Sequence, residues 1–128
     1  MSQRFVLSAA AISAAVVLLS FSAAAGAGEE HHGTEVHVQG EVLDLACWVA
    51  HEAKGPEHAG CATKCLAAGQ PMGLLAADGT VYVLFADHSD ASAYSTAKGL
   101  GGKKVELEGQ SAERGGIRGI TVQAVRPL

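Results

Sequence analysis

Cys47, His51, His58, Cys61 and Cys65 fall within 19 residues, and they include all three cysteines of the chain. Thiolate sulfur and imidazole nitrogen suit zinc, or copper in its soft monovalent state, whereas calcium and magnesium want oxygen cages. On a helix, His58, Cys61 and Cys65 stand at i, i+3 and i+7 and share one face. Cys47 belongs to a different element, the end of the opening strand, and ligands from two elements let one tetrahedral ion cross-link a small fold. The expected ligands are therefore Cys47, His58, Cys61 and Cys65. His51, four residues after Cys47, is the alternative imidazole if Trp48 to Glu52 is helical. Asp44, three residues before Cys47, is placed to orient a ligand imidazole by a hydrogen bond from outside the coordination sphere, or to serve as an alternative ligand. Its plain alternative is a strand-end residue facing water.

The spacing excludes several familiar sites. C-x13-C-x3-C is not a zinc-finger spacing, and neither C-x-x-C nor C-x-x-C-H occurs, which removes a thioredoxin-type active site and covalent c-type haem. A disulfide competes with the metal reading. Cys61 and Cys65 lie one helical turn apart, about 6 Å between Cα atoms. Pairing Cys47 with either is easier geometrically and would contribute about 2–4 kcal/mol. Each single pairing leaves one thiol over, as a small buried hydrophobe, whereas a Cys3His metal site leaves none. A third, weaker reading is a thiol redox protein using Cys61 and Cys65, which requires a depressed thiol pKa. Met72 reads as a core residue before it reads as a soft ligand. His31, His32 and His37 form a loose cluster, and His88 suits a turn.

The elements that must position these groups are short. From Thr34 the chain alternates through Val36 and Val38, passes Gly40 with an expected bulge or bend, and continues through Val42 and Leu43 toward Leu45 and Cys47. Trp48 to Gly60 has no steady period and reads as a loop with a helical turn. Ala59 to Ala68 reads as a short helix stopped by Gly69, with Pro71 beyond. Met72 to Ala76 and Thr80 to Ala86 flank Asp78-Gly79, a strong hairpin signal. Ser89 to Lys98 suits a short helix stopped by Gly99, Gly101 and Gly102. Two further strands, Lys103 to Gln110 and Ile117 to Val125, flank the turn Arg114-Gly-Gly116. Five short strands predict a mainly β protein, a small OB-like barrel whose closure removes sheet edges, with a helical insertion between strands one and two. An open α+β sheet is the alternative.

Residues 1–27 read as a secretory signal peptide: Arg4 is the only charge, Phe5 to Phe21 is apolar, and Ala25-Gly26-Ala27 fits the A-x-A cleavage pattern. Residues 28–33 read as a flexible lead-in and 34–128 as one domain. The expected location is the periplasm or the exterior, with no membrane association after cleavage. The 128-residue chain carries a net charge of −4, with 13 acidic and 9 basic residues, which argues against a nucleic-acid surface. No nucleophile elbow, phosphate loop or dinucleotide fingerprint is present, so the sequence gives little support for a hydrolase and leans away from an enzyme. A metal ion, zinc or copper, is the expected cofactor, and a periplasmic protein partner fits a metal-handling role.

The run Gly40-Glu-Val-Leu-Asp44-Leu-Ala-Cys47, then His58-Ala-Gly-Cys61-Ala-Thr-Lys-Cys65, then Gly69-Gln-Pro71, resembles a group of small exported bacterial proteins. They share a D-x-x-C strand end and an H-x-x-C-A-x-x-C helix followed by G-x-P. Val105-Glu-Leu-Glu-Gly109 and Gly119-Ile-Thr-Val122 look like their closing pattern. The resemblance covers most of the exported chain. It implies an OB-like module with a Cys/His site in the periplasm, and it implies no reaction. His51 lies outside the shared pattern.

Overall fold

The alternation that begins at Thr34 becomes β1 (Thr34–Asp44), the first strand in a computed structural model that describes residues 33–128. The expected signal peptide and nearly all of the lead-in lie outside the described residues. Two helices follow, α1 (Leu45–His51) and α2 (Ala59–Ala67), then β2 (Met72–Ala76) and β3 (Val81–Ala86), α3 (Ser92–Lys98), β4 (Lys104–Arg114) and β5 (Ile117–Pro127). The five strands close into a barrel in the order β1-β2-β3-β5-β4. The expected OB-like barrel with a helical insertion between its first two strands is therefore present. All pairs are antiparallel except β3 with β5, where Val83 faces Gly119 and Ala86 faces Val122.

β1 is long enough to serve two neighbours. Thr34 to Glu41 pair with β4, and Gly40 to Asp44 pair with β2. The changeover needs glycine at position 40, because a Cβ there would meet the Leu75 carbonyl oxygen at 2.5 Å. The bulge expected at Gly40 is not where the register breaks. Pairing runs evenly through it, and the shift lies between Glu108 and Gly109, where β4 meets β5. The expected Asp78-Gly79 turn forms, with Gly79 at φ 86° and the Thr80 N–H donating to the Asp78 carboxylate at 2.9 Å. α3 starts three residues later than expected. Asp87 and Asp90 accept from the N–H groups of Ser89 and Ser92, and these local turns compete with helix over Ser89 to Ala91.

The barrel interior holds Val42, Leu74, Leu84, Val105, Leu107, Ile120 and Val122, joined by Met72 from β2, Leu66 from α2 and Ala97 from α3. Burying Met72 there confirms its core role. Leu66 and Ala62 are the buried residues of α2, whereas α1 buries none. Among the described residues, no helix is long and apolar enough to cross a membrane.

Candidate metal centre

The site begins with the carboxylate of Asp44. The sequence pattern carried the opening strand through Leu45 to Cys47, but β1 stops at Asp44 and Cys47 sits in the first turn of α1. Asp44 ends the strand because its Oδ1 accepts from the N–H groups of Ala46 (3.0 Å) and Cys47 (3.4 Å), capping α1. Leu45 anchors the junction: its N–H donates to the Pro71 carbonyl at 3.0 Å, and its side chain lies where a Cβ on Gly73 would otherwise stand. Asp44 is 1% exposed, so it is not a solvated strand end.

α2 is set against this corner by backbone contact. Gly102 has φ 72°, and a Cβ there would lie 2.6 Å from Ala59 Cα; one on Gly101 would lie 2.8 Å from Thr63 N. The Gly102 N–H in turn donates to the Val42 carbonyl in β1 at 2.8 Å. The loop before α2 is held by the Gly55 N–H, which donates to the Glu41 carboxylate of β1. At its far end α2 stops in a Schellman turn, with Gly69 at φ 98° and the Gln70 N–H donating to the Cys65 carbonyl at 3.0 Å.

These constraints bring five side chains together in two overlapping groups. The sulfurs of Cys47, Cys61 and Cys65 lie within 4.8 Å of one another, and so do ligand atoms of Asp44, Cys47 and His58. Cys47 belongs to both. All three cysteines are free, with Cys61 exposed and the other two half-buried, and the Cys61 and Cys65 sulfurs are 4.0 Å apart. His58 occupies the N-cap position of α2 but makes no side-chain cap hydrogen bond. Its Nε2 and the Oδ2 of Asp44 are both buried without a hydrogen-bond partner. Buried polar atoms are almost always satisfied, so two orphans in one cluster make it the candidate site.

The thiols and the carboxylate perturb one another. Facing the Asp44 carboxylate pushes the Cys47 thiol up to about 12, with burial and the nearby Asp44, Cys65 and Cys61 charges adding to it. The same carboxylate raises Cys65, followed by burial and Cys61. Burial works to raise Asp44 itself. Hydrogen bonding from the thiol and N–H of Cys47, from Cys65 and from Ala46 outweighs it and leaves the carboxyl below its ordinary value. Asp44 is thus the charged member of the cluster while the Cys47 and Cys65 thiols hold their protons. A bound cation would displace those protons, since thiolates and not thiols are ligands.

Of the residues expected from sequence, the structure brings Cys47, Cys61 and Cys65 into one group and Asp44, Cys47 and His58 into another. His51 ends α1, is exposed, and joins neither group. His37 is exposed on β1 between Glu35 and Glu108, and His88 is exposed before α3. A separate hollow of about 390 Å3 on the barrel wall is bounded by Phe85, Ile117, Gly119 and Thr121 among others, with none of the five cluster residues. Sequence reasoning named Asp44 as a supporting residue or alternative ligand but missed its burial and its capping of α1. An aspartate just before an apolar run is a helix N-cap signature, and reading the run as strand concealed it. No family model matches the chain, and no curated protein or solved structure is similar enough to it to match.

Proposed function

We propose that this chain is an exported metal-binding module that holds one zinc or copper ion at Cys47, Cys61, Cys65, His58 and Asp44. The observation that carries the reading is the meeting of three free thiols with two buried, unpartnered polar atoms, Asp44 Oδ2 and His58 Nε2. Sulfur and imidazole donors favour zinc or monovalent copper over hard cations. The periplasm is the proposed compartment, supported by the signal-like residues 1–27 and by the resemblance of the D-x-x-C and H-x-x-C-A-x-x-C runs to exported bacterial proteins. A copper cargo would be received from or passed to a periplasmic protein.

Elemental analysis of protein purified from the periplasm, together with a thiol count under denaturing conditions, tests this. The expected result is one equivalent of metal, three titratable thiols, and proton release on reloading the metal-free protein. No bound metal, and none taken up by the reduced protein, would overturn it. The 4.0 Å approach of the Cys61 and Cys65 sulfurs favours one competing reading, a disulfide-stapled module whose barrel wall carries recognition. One free thiol per chain in the native protein would select that reading.

A further inference from the structure

Resting on the proposal that this cluster binds metal, we infer that it offers two alternative coordination sets sharing Cys47: a surface set of Cys47, Cys61 and Cys65 for a soft monovalent ion such as copper(I), and an inner set of Asp44, Cys47 and His58 for a borderline divalent ion such as zinc. The five donors form two mutually close groups and not one, and Cys47 is the member common to both. Cys61 belongs only to the first group, and Asp44 and His58 only to the second. Both sets draw on the Cys47 sulfur, so the two ions compete for it.

Charge balance assigns an ion to each set. Asp44 is 1% exposed, and a carboxylate and one thiolate beside a neutral imidazole cancel the charge of a divalent ion, which a buried position demands. The unpartnered Asp44 Oδ2 and His58 Nε2 lie on this inner side. Three thiolates around a monovalent ion leave net negative charge. That is tolerated where water reaches, and Cys61 is exposed while Cys47 and Cys65 are half-buried. Donor softness points the same way: three sulfurs suit monovalent copper, and mixed oxygen, nitrogen and sulfur suit zinc.

Three variants of the full protein, each checked for native circular dichroism, separate the sets: Cys61→Ser, His58→Gln and Cys47→Ser. Copper(I) under reductant and cobalt(II) standing in for zinc are titrated against chelators of known affinity. Cys61→Ser is expected to weaken copper(I) by at least about tenfold while leaving the cobalt(II) affinity and thiolate charge-transfer intensity unchanged. His58→Gln is expected to do the reverse, and Cys47→Ser to weaken both. Copper(I) should displace cobalt(II) one for one. Asp44→Asn, which keeps the capping oxygen, should follow His58→Gln. If Cys61→Ser and His58→Gln each weaken both ions alike, the cluster is a single shared site; the inference falls and the metal-binding proposal stands. If neither ion binds the wild-type protein, both fall together.

Discussion

Asp44 is one residue with three tasks: it ends β1, caps α1, and presents its other oxygen to the cluster. Its carboxylate is what keeps the Cys47 thiol protonated up to about 12, against 9.0 for an unperturbed thiol. In the reduced, metal-free protein this links folding to alkaline pH. The folded state holds a proton on Cys47 that the unfolded chain has released, so the stability this thiol contributes is full below pH 9.0 and is lost as pH rises toward 12. Urea midpoints compared between wild type and Cys47→Ser should therefore fall more steeply for the wild type above pH 9.0. Parallel declines would show that Cys47 does not carry this linkage. The Cys and His spacing made the thiols and His58 legible at this scale. The burial of Asp44 was not legible, since exposure depends on what packs over the strand end.

At the scale of elements, α1 and α2 are positioned by glycines more than by their own propensity. Isolated helices of seven and nine residues are too short to persist in water, so tertiary contact must hold them. Gly102 supplies that contact for α2, and its backbone is left-handed as well as crowded. Gly102→Ala should cost about 1–3 kcal/mol of stability, read as a lower urea midpoint, and should weaken metal retention. Gly115 in the β4–β5 turn has φ 60° but nothing within 4 Å of a Cβ, so Gly115→Ala makes a matched control with a smaller loss and unchanged metal binding. Equal losses of stability and metal would show that the approach of α2 to Gly102 does not set the site. Sequence periodicity placed α2 correctly through its Gly69 stop, yet it read Gly101 and Gly102 only as the stop of the helix before them. Their closeness to α2 joins segments some forty residues apart, and local patterning carries no trace of such a contact.

For the whole molecule, the core and the cluster are largely separate. Val42, Leu74, Leu107, Ile120 and Val122 fill a closed barrel without help from the thiols. A metal ion bound at the cluster would therefore stabilise the folded state by mass action and would not create it. Chelation should leave the barrel amides protected against hydrogen exchange while those of α1, which buries no side chain, exchange faster. Global loss of protection on metal removal would instead show that the ion is a structural requirement, as in small zinc-dependent folds. Closure also answers the problem of sheet edges. β1 and β4 pair along Thr34 to Glu41, and the parallel contact of β3 with β5 completes the ring.

Alternating apolar residues, the Asp78-Gly79 turn and the glycine stops were enough to read five strands, a helix carrying two thiols, and an OB-like barrel, because these are short-range preferences of backbone and side chain. The same residues held the candidate donors in plain view. Whether those donors meet, which of them share an ion-sized space, and that Asp44 stands buried among them followed from folding alone. Each depends on backbone segments far apart in the chain approaching within a few ångströms, and close packing, not composition, governs that approach.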